Sequence, residues 1–312
     1  MAVVGPLTEE ALPEADRIFR LAFGTFLAVP DPTQTFGDTD WVATRWRTDR
    51  DGAFGATQDG VLVGSNFATR WGSFGFFGPL SVRPDLWDKG VARALLDATM
   101  ACFEASGTAH VGLFTFPNSP KHVALYQRYG FWPRFLTAVM GTGTTTGPAP
   151  AGTTVLSSTP PAARAAWLAD CRSVSDAVLP GMDATREIEG VARQGIGETI
   201  AIDDGSRIAA FAILHAGAGS EAGSASAYVK HAAVRPGPHA AAVFDRLLDA
   251  CRQVAGTRGA TAVVAGVNLA HEEAFGRMRA RGFTTGLLGV AMHRHNDPIY
   301  HRPGLWVLDD WR

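Results

Sequence analysis

Val82-Arg83-Pro84-Asp85-Leu86-Trp87-Asp88-Lys89-Gly90-Val91-Ala92-Arg93 reads as an apolar strand that breaks at Pro84, crosses a loop and enters a helix at Gly90-Val91-Ala92. A strand, loop and helix in that order can hold a pyrophosphate. The first turn of a helix leaves backbone N–H groups unpaired and carries partial positive charge, and a glycine there lets an anion reach the main chain. The helix that follows places Val91, Leu95, Ala98, Thr99 and Cys102 at the spacing of one buried face.

Working outward, the same pattern returns 152 positions later. Val82-Arg83-Pro84 recurs as Val234-Arg235-Pro236, Leu95-Leu96-Asp97-Ala98 as Leu247-Leu248-Asp249-Ala250, and Gly130-Phe131 as Gly282-Phe283. Upstream, Asp59-Gly60 and Asp204-Gly205 each sit between apolar runs, a hairpin signal. Each half therefore runs helix (Glu9 to Phe26; Ala162 to Val178), hairpin, strand, helix (Gly90 to Phe103; Ala240 to Val254), strand (His110 to Phe116; Thr261 to Val267), helix, strand. Between the halves, GTGTTTGPAPAGTT is built of small turn-forming residues and reads as an exposed linker. The organisation expected is a first domain over 1–140, a linker over 141–154 and a second domain over 155–312.

Composition excludes several classes of partner. A chain of 312 residues is long enough for two cores, and 46% hydrophobic with 19% charged residues is ordinary for a globular protein. A formal net charge of −2 gives no basic footprint for nucleic acid or an anionic membrane. The N-terminal residues lack the basic start and apolar run of a secretory signal, and the longest apolar stretch, Ile208 to Gly219, is too short to span a bilayer. Cys102, Cys171 and Cys251 are scattered, which argues for reduced thiols in the cytoplasm rather than disulfides or a zinc site. A small molecule is the expected partner.

The loop motif resembles the acetyl-CoA signature of the GCN5-related N-acetyltransferases (GNAT). In that family the loop reads Gln or Arg, two residues, Gly, one residue, then Gly or Ala, and it falls here on Trp87, Asp88, Lys89, Gly90, Val91 and Ala92. Trp87 departs from the usual polar residue, and Asp88 adds a negative charge that Lys89, Arg83 and Arg93 could offset. After the strand HVGLFTF, Asn118 leads the segment SPKHVALYQRYGF, which resembles the family's second motif through Tyr126, Gly130 and Phe131. The resemblance implies two tandem GNAT folds, each a mixed α/β unit with a mostly antiparallel central sheet flanked by helices. It implies acetyl-CoA as co-substrate, no metal, and transfer of acetyl to a primary amine of a small molecule or peptide by direct attack. It places Leu80, Ser81 and Val82 against the pantetheine through exposed strand backbone and Asn118 against the pantetheine or phosphate arm. Tyr126 becomes the candidate acid for the departing thiolate, since thiols near pKa ~8.5 and phenols near ~10 are thermodynamically matched. Tyr129 is next in line.

A general base is harder to read. Some relatives carry a glutamate on the strand before the loop, yet Gly75 to Val82 contains no carboxylate. Asp31, Asp38 and Asp40 among Trp41 and Trp46 form an acidic, aromatic loop suited to a cationic acceptor. His110 and His122 could act through water.

In the second copy Trp87 to Ala92 become His239 to Phe244, so a phenyl stands where a small residue is needed, and Tyr126 becomes Met278. That half is expected not to bind acetyl-CoA and is left to shape the acceptor pocket, stiffen the first domain or form a homodimer surface. His293, His295, Asp297 and His301 are a histidine cluster of the kind metals use, on a strand where exposed histidines are commoner than ligands. The tail RPGLWVLDDWR is aromatic enough to dock on the body. The functional alternatives are a non-catalytic acyl-CoA binder or sensor and transfer of a different acyl group.

Overall fold

The computed structural model describes residues 2–312. The first half runs β1 (Val3–Pro6), α1 (Leu12–Phe26), α2 (Val42–Thr48), β2 (Ala53–Gln58), β3 (Val61–Trp71), β4 (Phe74–Phe77), β5 (Ser81–Val82), α3 (Val91–Ala105), β6 (His110–Thr115), α4 (Pro120–Gln127) and β7 (Phe131–Gly143). The second half follows the same order: β8 (Thr153–Val155), α5 (Pro161–Val178), α6 (Thr185–Gln194), β9 (Gly197–Asp203), β10 (Ile208–Gly217), β11 (Gly223–Val234), α7 (Ala240–Thr257), β12 (Ala262–Asn268), α8 (Glu272–Ala280) and β13 (Thr284–Arg294). A short β14 (Val307–Leu308) lies in the tail.

Both halves belong to one 14-stranded sheet, ordered β1-β2-β3-β4-β6-β13-β7-β12-β11-β10-β9-β8, with β5 on β3 and β14 on β11. Every pairing is antiparallel except β4 with β6 and β11 with β12. The last strand of each half crosses into the other. β13 pairs with β6 through Val290 opposite Thr115, and β7 pairs with β12 through Ala138 opposite Val267. These two contacts are the same contact displaced by 152 residues, so the exchange is reciprocal. The two exchanged strands also pair with each other along most of their length. Neither half closes its own sheet.

Local sequence explains the elements on either side of this seam. Asp59 and Gly60, both at positive φ (53° and 78°), make the two-residue turn between β2 and β3, the geometry that Asp-Gly favours. Asp204-Gly205 also turns a hairpin, through a longer loop that ends at Ile208. Helices cover both faces, so β3 and β10 are buried along nearly their whole length. Trp71, Phe74 and Phe76 of the first half share a core with Trp167, Phe211 and Ile213 of the second. Each such side chain contributes roughly 1.5–3 kcal/mol on full burial.

Two segments differ from expectation. The stretch after α1 is not an open acidic loop, because α2 forms there and buries Trp41 and Trp46. The linker is shorter than 141–154, since β7 continues to Gly143 on β12 and β8 begins at Thr153.

Candidate active site

β4 and β6 run parallel with Phe74, Gly75 and Phe76 opposite His110, Val111 and Gly112, and their pairing stops there. Beyond that point a cavity of about 870 Å³ opens, walled by Phe77 to Leu80 and Val82 on one side and Phe114 to Phe116 on the other. The start of α3 closes one end. Gly90 precedes it at φ +87°, a conformation that costs an L side chain about 1–2 kcal/mol, and no side chain caps the helix. A Cβ on Gly90 would meet nothing within 4 Å, so the space before the helix N-terminus is open.

Of the residues singled out in the sequence, Leu80, Val82, Trp87, Asp88, Gly90, Val91, Ala92, Arg93 and Tyr126 line this cavity. Ser81 does not, because it pairs with Ser65 of β3. With Arg83 N–H also donating to Val63 at 2.9 Å, the alternation of an antiparallel ladder turns the main chain of Leu80 and Val82 away from β3. Lys89 and Asn118 are exposed and outside the walls, and Ser119 lines the cavity beside Asn118. The departures at Trp87 and Asp88 have local causes. The Trp87 indole N–H donates to the Val82 carbonyl at 2.8 Å, and Asp88 pairs with Lys121 of α4 at 2.8 Å. Lys121 also lies over the Trp87 ring at 5.6 Å. Arg83 is taken by Asp85 at 2.7 Å, whereas Lys89 and Arg93 have no ion-pair partner among the described residues.

Tyr126 is buried on the inner face of α4, 5.8 Å from the Phe77 ring, and its hydroxyl makes no hydrogen bond within the described residues. Burial pushes the phenol well above its ordinary pKa, which keeps the proton on. Tyr129 is different. Its hydroxyl donates to Asp97 at 2.8 Å on the flank of α3, and the residue does not line the cavity.

The candidate bases separate in the same way. Asp31 accepts from Thr33, Asp40 from the N–H of Ala43 at the start of α2, and Asp38 from the N–H of Ser224. Asp31 and Asp40 hold local turns, Asp38 ties this segment to the second half, and none lines the cavity. The face of Trp41 is covered by the protein's own cations, Arg45 at 5.1 Å and Arg312 at 5.7 Å, so it does not present a bare ring to a cationic acceptor. His110 pairs with Asp297 at 3.1 Å away from the walls. His122 does line the cavity, against Phe26, and burial and then Lys121 lower its pKa, leaving it neutral near pH 7.

Sequence reading allowed that the second half shapes the acceptor pocket but did not identify the residues on β11 that do so. Glu221, Ala222, Ser226 and Tyr228 from the start of β11, with Trp311 and Arg312 from the tail, form the wall beside Trp41. Arg45 of α2 donates to Glu221 at 2.9 Å, to the Gly78 carbonyl and to the Arg312 main-chain oxygen. Lys230 joins Glu221 at 2.6 Å to Glu187 at 3.0 Å. Burial alone would raise the Glu221 carboxyl, but Arg45 and Lys230 hold it below the usual range. The partners lie far apart in sequence, and no periodicity marks them.

In the second half the equivalent gap is filled by the chain itself. β14 pairs with β11 through Leu308 opposite Ala232 and Val307 opposite Ala233, the counterparts of Leu80 and Ser81. The Val234 N–H, counterpart of Val82, donates to the Trp306 carbonyl at 3.1 Å. Phe244, in the place of Ala92, packs on the Trp306 ring at 5.2 Å. α7 begins at Ala240, the counterpart of Asp88, so the turn that presents Gly90 in the first half is wound into helix. Met278, in the place of Tyr126, is fully buried. The histidines of the tail are structural: His293 is buried and hydrogen-bonded to His301 at 2.9 Å, whereas His295 is exposed on the turn after β13. Among the described residues no cluster of three or more His, Cys, Asp or Glu is arranged to hold a metal, and no helix is long and apolar enough to cross a membrane.

The acetyltransferase (GNAT) family model matches residues 15–131. No curated protein matches the chain. Among solved structures, a candidate acetyltransferase from Pyrococcus horikoshii is similar with a TM-score of 0.69 at 13% identity, over 96% of this chain and 90% of that one. A GCN5-related N-acetyltransferase from Sphaerobacter thermophilus gives 0.60 at 15% identity, over 98% and 97% of the two chains. At these identities the likeness is one of fold, and it extends through both halves. Residues 15–131 thus match the acetyltransferase (GNAT) family model, and the fold of the whole chain is similar to that of these structures.

Proposed function

We propose that the protein is an N-acetyltransferase that binds acetyl-CoA in the first half only and passes the acetyl group to a primary amine. The observation that carries this reading is the open gap between β4 and β6, which ends at the uncapped N-terminus of α3 with Gly90 at positive φ. A pyrophosphate at that terminus would meet unpaired N–H groups and the free cations Lys89 and Arg93. The pantetheine would lie along the main chain of Leu80 and Val82. Support for that pose comes from the second half, where a peptide segment occupies the equivalent groove by main-chain pairing.

The amine nitrogen, unprotonated, attacks the thioester carbonyl. A tetrahedral oxyanion forms, and its collapse breaks the C–S bond and releases a thiolate. Tyr126 in the cavity wall is the candidate donor of the proton that the thiolate takes up, although burial, which keeps it protonated, also makes it a weaker acid than a free phenol. The acceptor nitrogen loses its proton to water, with neutral His122 in the wall as the side chain able to receive it. Glu221 is engaged by Arg45 and Lys230 and is not free for this task.

The test is thiol release from acetyl-CoA across a panel of primary amines. Amine-dependent release, cut by Tyr126→Phe without loss of CoA binding, is expected. CoA binding with no turnover for any amine would favour the non-catalytic acyl-CoA binder instead.

A further inference from the structure

The tail that fills the second half's groove does a second thing: it carries its last two residues into the wall of the first half's cavity. β14 is pinned on β11, Trp311 is buried with its indole N–H donating to Tyr300 at 2.8 Å, and Arg312 follows at the cavity surface. The Arg312 guanidinium lies against a pair of contacting rings, 4.6 Å from the Tyr228 centroid and 5.7 Å from that of Trp41. Asp310 holds it from one side, Oδ2 to Nε at 2.9 Å, while Asp310 Oδ1 accepts from the Tyr228 hydroxyl at 2.7 Å. Apart from Asp310 and the Tyr228 hydroxyl, no side chain of the described residues engages the Arg312 guanidinium, and the side chain keeps 22% of its surface exposed. Arg45, the other cation here, is consumed by Glu221, Gly78 and the Arg312 main chain. Elsewhere the cavity walls are largely apolar and aromatic, including Phe23, Phe36 and Phe116.

We infer that Arg312 binds an anionic group of the acceptor, so that the acceptor is an amine that also carries a carboxylate on an apolar, aromatic body. The planar guanidinium offers two parallel N–H donors that match a carboxylate, and its contacts with Asp310 and the Tyr228 and Trp41 rings hold it in place in advance. The ruined cofactor site of the second half thereby anchors a specificity determinant for the first. This rests on the acetyltransferase reading above, and the test separates the two.

The probes are phenylalanine, tryptophan, tyrosine and the aminobenzoates, each paired with its carboxamide, titrated by calorimetry into the CoA-saturated protein and then assayed for acetylation. At least one acid should bind about 10- to 100-fold more tightly than its amide. Arg312→Gln should abolish that preference while leaving CoA affinity unchanged, at some cost in melting temperature because Asp310 loses its cation, and Arg312→Lys should restore part of the preference. Where turnover is seen, the Arg312→Gln effect should fall on KM and spare kcat. No pair showing an acid preference, or a preference that survives Arg312→Gln, overturns the inference. Acid-selective binding without thiol release upholds it and overturns the transferase reading alone.

Discussion

The two halves share one order of elements and one register, yet the gap between their central parallel strands is open in the first and filled in the second. In the first half Gly90 stands before α3 at positive φ and the main chain of Leu80 and Val82 faces a cavity. In the second, Ala232 to Val234 are paired by the tail, and Phe244 and Trp306 pack where a phosphate arm would pass. The second site has been occupied by a segment of the same chain that makes the same kind of main-chain contact.

The comparison can be broken most severely at the seam. Deleting residues 283–312 removes β13 and the tail, leaving β6 and β7 without their shared partner strand. The expected result is loss of soluble folded protein, seen by expression and circular dichroism. For the intact chain, calorimetry should show one unfolding transition, because the exchanged strands make each half part of the other's sheet. Two separated transitions would contradict the exchange.

Next in size, Trp306→Ala should cost about 3–5 kcal/mol by opening a cavity beside Phe244, measured by denaturant unfolding. It should not create a second CoA site. Tyr126→Phe should lower kcat by roughly a hundredfold, the low end for loss of a positioned acid, with CoA affinity retained.

A pH effect follows from two buried histidines, His271 before α8 and His293 in β13. Burial, and then His301, lower His271 and His293 to about 3. Unfolded histidine titrates near ~6.5, so below that pH the unfolded chain binds protons that the folded one does not. Stability should be full above pH ~6.5 and decline as pH falls from there toward about 3. His271→Leu should flatten this decline in a pH series of melting temperatures. Gly90→Ala is the mildest change, about 1–2 kcal/mol of backbone strain with no clash in the space ahead of it.

Much of this was legible in the chain. The fixed offset of 152 residues placed helices and strands in both halves, and Gly90 against Ala242 and Tyr126 against Met278 identified the half with the intact loop. What escaped was non-local. The exchange of β7 and β13 is a choice of partner, and strand patterning is the same whichever edge a strand joins. α2 escaped because the acidic residues before it read as a loop, although Asp40 accepts from the N–H of Ala43 in its first turn. Arg45 and Glu221 are brought together only by the docking of α2 on the second half, so neither looked functional alone. Trp87 and Asp88 looked like defects in a motif until their partners, the Val82 carbonyl and Lys121, were in view.

The central claim is one open groove and one filled groove per chain, and the most direct measurement of it is the stoichiometry of CoA binding by calorimetric titration. The account predicts one CoA per chain, lost in Gly90→Glu, where a carboxylate would project into the space before α3, and retained in Trp306→Ala. Two CoA molecules per chain, or one that survives Gly90→Glu at unchanged affinity, would contradict it.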